Sequence, residues 1–183
     1  MDALKVLSIV VLLVLQALDA AVIPCAWTQF RLRVMNEESI ELLKNMGDVM
    51  PLKCLEKGGR AFPDDTFIKV QDEDLVVVAL ETLRGVERIF KNEPTSVTWD
   101  REKLGLFRNV ISYRQVENLQ KCVEGHTSQN AMGSSSANGL KSYFEKLEEE
   151  LKSKELSECS WEMVRDEVQH VLIKFQTFLQ SRK

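Results

Sequence analysis

Four cysteines, two histidines and a scatter of carboxylates are the side chains of this 183-residue sequence with the chemistry to cross-link, bind a metal or move protons. Zinc is disfavoured by spacing: the sequence has no Cys-x-x-Cys pair, and its only histidines are His126 and His170. In an oxidising compartment Cys25, Cys54, Cys122 and Cys159 instead read as two disulfides, and sequence alone leaves three pairings open. Catalysis needs a nucleophile beside a base, paired carboxylates in a cleft or a metal set, and no such combination stands out. His170 and Asp166 lie four apart on one helix face, an ordinary surface pairing. The chain reads as a non-enzyme without a cofactor.

The disulfide reading requires export, and the N-terminus supplies it. Lys5 precedes the apolar run from Val6 to Leu15, and Ala17, Ala20 and Ala21 follow. The run falls short of the roughly 20 apolar residues that span a bilayer, so residues 1–20 are expected to be a signal peptide cleaved after Ala20 or Ala21. Residues 21–183 then form one secreted domain, with 44% hydrophobic residues across the whole chain to supply a core. No later run reaches membrane-spanning length, and no Asn-x-Ser/Thr acceptor for N-glycans occurs. A formal net charge of -4 without a basic stripe argues against nucleic acid.

Holding the cysteines is the work of five stretches with helical periodicity, and no stretch keeps the alternation of a strand, so the fold class is all-α. The first helix is expected from about Phe30 to Met46, with Val34, Ile40, Leu43 and Met46 inward, Asn36 as an alternative cap and Gly47 as its stop. Pro51, Gly58, Gly59 and Pro63 mark the next connection, residues 47–71, which is long enough to travel the length of a bundle. A second helix from Asp72 to Lys91 is apolar on several sides and should be the most enclosed. A third runs from about Trp99 to Glu117 or slightly beyond, with Leu104, Phe107, Val110 and Ile111 inward. Residues 123–138 are too polar to hold a form by themselves. A fourth helix follows over Gly139 to Lys152, and the last runs from near Ser157 or Ser160 to Gln180.

On that last helix Trp161, Val164, Val168, Leu172, Phe175 and Leu179 form a core stripe. The other side presents Glu162, Asp166, Gln169, His170, Ile173 and Thr177, among which Ile173 breaks the polar pattern. An apolar group placed there suits a partner surface, although single exposed Ile residues are common.

The run Cys159-Ser160-Trp161-Glu162-Met163-Val164-Arg165 resembles the Cys-Ala-Trp-Glu-x-Val-Arg motif that opens the last helix of type I interferons. Cys54-Leu55 followed by Phe62-Pro63, then Trp99-Asp100, then Ser142-Tyr143-Phe144 agree in order, and Cys25-Ala26-Trp27 is similar to the opening of the four-cysteine interferons of bony fish. The resemblance implies a helical cytokine four-helix bundle, up-up-down-down with long crossovers and a fifth helix. It implies the pairings Cys25 with Cys122 and Cys54 with Cys159. It also implies function: a secreted monomer that gathers a two-chain class II cytokine receptor, without entering the membrane, and switches on JAK/STAT antiviral signalling.

Carried over by the motif, Arg165, Asp166, Gln169, His170 and Ile173 would meet the first receptor chain, with Leu55 and Arg60 from the first connection. Gly58-Gly59 replaces charged residues there, and the Cys54 to Phe62 spacing is one residue shorter than in mammals. Arg88, Lys91, Arg108 and Ser112 are candidates for the second chain. Phe90 also matches by context, but periodicity turns it inward. Rival readings are another helical cytokine, interleukin-10-like or a type III interferon, and an amphipathic lipid carrier. The motif disfavours the first pair, and two long-range bridges would resist the opening that a carrier needs.

Overall fold

The computed structural model describes residues 30–57, 62–63, 65–68, 70–71, 74–125 and 135–182. Within them every regular element is helical. We label residues 30–45 α1, Leu75–Lys91 α2, Ser135–Ser153 α4 and Glu158–Ser181 α5. The unbroken stretch Arg101–Asn109, Val110–Val116 and Glu117–Gly125 is α3. Residues 1–20 and Cys25 lie outside the described residues, as do Arg60 and most of the polar segment after Gly125.

Side-chain pairings give the helix directions. Along α1, Arg33 bonds Arg182, Asn36 bonds Leu172 and Leu43 meets Arg165, so α1 and α5 are antiparallel. Glu38 with Arg114, Asn45 with Lys103 and Met46 with Asp100 make α1 antiparallel to α3 as well. The short link after Asn92 returns α3 along α2, where Phe90 meets Phe107 at 4.9 Å. The bundle α1, α2, α3, α5 is therefore up-up-down-down, and the long first connection lets α1 and α2 run parallel. α4 is the additional helix. It runs alongside α2 in the same sense, as Arg88 with Glu145 and Asn92 with Glu148 show.

That last contact explains the enclosure expected of α2. A Cβ on Gly85 would lie 2.1 Å from Cδ2 of buried Phe144, so only glycine admits the two helices this closely. The α2 helix begins at Leu75 rather than Asp72, and Asp74 makes no side-chain cap bond.

Periodicity misplaced the inner row of α1. Leu43 and Met46 are buried as expected, but Val34 is 51% exposed and Ile40 only half-buried. Asn36 is no cap: α1 already runs at residue 30, and Asn36 and Ser39 occupy core positions. They are tolerated there because Asn36 donates to the Leu172 carbonyl and Gln176, both at 2.9 Å, while Ser39 donates to the Met35 carbonyl and accepts from Gln115. An apolar-only wheel shifts its stripe when polar groups find acceptors inside, as the Asn36 and Gln115 amide nitrogens do.

The third helix also departs from a plain α period. Through Val110–Val116 it adopts the wider i→i+5 turn, which brings Val110, Ile111, Gln115 and Val116 all inward. Asp100 starts the helix by accepting the amides of Glu102 and Lys103. The Lys103 amide bond above all holds the Asp100 carboxyl below the usual carboxylate range. At the other cap, Ser157 accepts the Ser160 amide to begin α5. Glu155 and Leu156 take left-handed backbone in the tight α4–α5 turn.

Two aromatic clusters fill the core. Phe90, Trp99, Phe107 and Trp161 meet near the start of α5. Further along, Phe62 and Phe67 of the first connection lie on Tyr143, Phe175 and Phe178.

Candidate functional site

The first half of α5 carries charge into the interior. Glu162 and Arg165 are each 7% exposed. One Glu162 oxygen accepts Trp99 Nε1 at 2.7 Å, and the other pairs with Arg165 at 2.8 Å. The guanidinium then donates to the Leu43 carbonyl at 3.1 Å and the Asp48 carbonyl at 2.5 Å, and lies over the Trp99 ring. It thereby satisfies carbonyls that the end of α1 leaves open, a task shared by the Asp100 amide on the Met46 carbonyl and Lys103 on the Asn45 carbonyl. Gly47 is required in this knot, because a Cβ would come within 2.7 Å of Trp99 Cδ1. Arg165 and Glu162 are thus corrected from outward groups to interior ones. Residues leaving α1 cover this part of the helix, and a wheel drawn for α5 alone cannot register them.

The first connection is laid along α5. Asp48 is tied at Arg165, Cys54 is bridged to Cys159, Phe62 donates its amide to Glu167, and the Val70 carbonyl accepts from Arg182. From Glu167 to Arg182 this track covers about 22 Å at 1.5 Å per residue. The bridge expected between Cys54 and Cys159 is present, with Cα atoms 5.0 Å apart. Cys122 is disulfide-bonded too, and its expected partner Cys25 lies outside the described residues.

The expected contact side is exposed at its two ends, Asp166 and Ile173. Asp166 is exposed, Gln169 and His170 are half-buried, and Ile173 is 45% exposed. Asp166 and Gln169 border a shallow hollow whose other wall is Gly47, Asp48, Val49 and Met50. Val49 is 92% exposed, an apolar group beside the helix face that the sequence reading missed. Its signal was present: Val49-Met50 is an apolar pair inside a run of turn-forming residues. Leu55 is exposed next to the disulfide, where Lys53 pairs with Glu158 at 2.6 Å. From Cys159, beside Leu55, to Ile173 is about 21 Å of helix. Leu55, Val49 and Ile173 thus form a strip of exposed apolar groups at successive points along α5. Arg60 is outside the described residues.

The second set separates. Lys91, Arg108 and Ser112 share one hollow with Glu87 and Phe90, and Phe90 itself is buried as periodicity required. Arg108 is engaged by Glu93 at 2.9 Å and the Asn92 carbonyl. Arg88 instead turns to α4, where it pairs with Glu145 at 3.3 Å. No group of His, Cys, Asp and Glu suited to a metal occurs among the described residues. No helix among them is long and apolar enough to cross a membrane.

Comparison with known proteins agrees with this architecture. The family model of the interferon alpha/beta domain matches residues 28–182. Human interferon alpha-17 is 29% identical over 152 residues, covering 80% of this chain and 79% of its own. Rainbow trout (Oncorhynchus mykiss) interferon a3 is also 29% identical over 152 residues, with 81% of each chain covered. Among solved structures, zebrafish interferon 1 superposes with a TM-score of 0.73 at 28% identity, covering 87% of this chain and all of that one. Zebrafish interferon 2 gives 0.65 at 25% identity over 79% of this chain and 96% of its own.

Proposed function

This chain belongs to the interferon alpha/beta family, whose members are cytokines and not enzymes, and from that premise we propose that it is a secreted ligand drawing two receptor chains together. In this reading residues 1–20 are removed on export, and residues 21–183 act as a monomer. Asp166, Gln169, His170 and Ile173 of α5, with Val49 and Leu55 of the first connection, meet the first receptor chain. Arg60 remains a candidate on the same connection. The observation that carries the proposal is the exposed strip itself: apolar points ringed by polar groups and backed by a helix cross-linked to its neighbouring loop. Such anchors concentrate binding free energy, and truncating one costs about 2 kcal/mol or more.

Arg165 serves the strip from behind. It holds the Asp48 carbonyl next to Val49 and does not itself reach outward. For the second chain, Lys91, Arg108 and Ser112 form the coherent set, and Arg88 is the outlier. Joining the two receptor chains brings their cytoplasmic kinases together and starts JAK/STAT antiviral transcription. The test is an antiviral reporter in cells of the source species, with wild type beside Ile173→Asp and Val49→Asp. Potency should fall for both variants while helicity stays. Full potency in both would remove the strip from the mechanism.

A further inference from the structure

A third charge, after those of Glu162 and Arg165, is buried in α5, and the contact strip does not use it. Glu167 is 7% exposed, directly after Asp166. Its Oε1 accepts the Phe62 amide at 2.9 Å and the Tyr143 hydroxyl at 2.5 Å, so one carboxylate joins α5, the first connection and α4. The arrangement is packed as well as bonded, since the Phe62 ring meets Tyr143 edge-on at 5.0 Å and Phe67 at 5.6 Å. Burial, then the bond to Glu167, pushes the Tyr143 hydroxyl far above its ordinary pKa, so it stays a donor across the physiological range.

Buried charge is poor evidence of a gain in stability, because its desolvation offsets the bonds it makes. What this carboxylate supplies is location. Before Lys57 the first connection carries Val49, Leu52 and Leu55, all exposed. The connection is held at Asp48 by Arg165, at Cys54 by Cys159 and at Phe62 by Glu167, all on α5.

We propose that Glu167 is a positioning residue for receptor engagement, tethering the first connection at Phe62 so that Val49 and Leu55 keep register with the outward face of α5. The inference rests on the receptor reading above, and its test separates the two. Hydrogen exchange at the Phe62 amide is measured together with washout of labelled protein from receptor-bearing cells of the source species. Glu167→Ala should speed Phe62 exchange about tenfold or more relative to core amides such as Phe107, and should speed washout by about tenfold. Glu167→Asp, which withdraws the carboxylate by one methylene, should do the same more mildly and guards against failure of the alanine variant to fold. Glu167→Gln keeps an acceptor carbonyl and should restore both readouts. Leu119→Ala, a cavity elsewhere in the core, should lower the melting temperature without changing washout.

The proposal is overturned if Phe62 exchange rises only in step with the whole core, if Gln behaves like Ala, or if Leu119→Ala speeds washout equally. Unchanged washout for Ile173→Asp would instead overturn the receptor reading, whatever the Phe62 amide does.

Discussion

In its first half α5 takes Glu162, Arg165 and Glu167 into the interior, whereas beyond His170 it turns Ile173 toward solvent. The two halves belong to one helix and differ in what lies over them. The end of α1, the first connection and Trp99 cover the beginning, and each buried charge there meets donors or acceptors from these groups. Ile173 has no such cover. Polarity along this helix therefore reports which neighbour is present. A charged residue can be internal scaffolding and an apolar one a contact.

The largest effect expected from disturbing this contrast comes from the cross-link. Cys54→Ser frees a closure of 105 residues, worth about 4 to 5 kcal/mol in the chain-entropy model, and chemical denaturation should show a loss approaching that value. Helicity should survive because Arg165, Glu167 and Arg182 still hold the connection, while receptor affinity falls.

Next in size is Arg165→Ala, which leaves Glu162 buried without its cation and should cost about 3 to 5 kcal/mol by thermal or urea unfolding. Loss of potency in this variant should accompany loss of stability. If Arg165→Ala were as stable as wild type yet inactive, the division between scaffold and contact would fail. Ile173→Asp should give the opposite result: stability within about 0.5 kcal/mol of wild type, and affinity reduced by roughly 2 kcal/mol, or about thirtyfold. The smallest change is a control away from both halves. Gly105 is exposed on α3, and a Cβ there meets nothing within 4 Å, so Gly105→Ala should stabilise the helix by about 0.5 to 1 kcal/mol with potency unchanged.

Much of the architecture was legible because helix periods survive tertiary context wherever a stripe is wholly apolar. The core faces of α3 and α5 are instances, with Leu104, Phe107, Trp161, Val168 and Phe175 all buried. The bridge between Cys54 and Cys159 and the bundle topology came from the motif at Cys159 to Arg165, not from periodicity. The family match likewise leaves no footing for the rival cytokine classes or the lipid carrier. Legibility failed where polar groups satisfy one another over long sequence separations. Asn36 and Ser39 replaced Val34 in the core of α1 through partners 136 and 76 residues away. Arg165 matches the contact motif yet turns inward, because its acceptors are carbonyls of Leu43 in α1 and Asp48 in the first connection. Val49 escapes periodicity because no period describes a loop, and Arg88 departs from Lys91 because it pairs with Glu145 of α4.

The most direct measurement is a paired one on Ile173→Asp and Arg165→Ala: thermal unfolding beside dissociation from receptor-bearing cells. Ile173→Asp should unfold with wild-type stability and dissociate much faster, while Arg165→Ala should unfold early. Wild-type dissociation for Ile173→Asp, or wild-type stability for Arg165→Ala, would contradict the account.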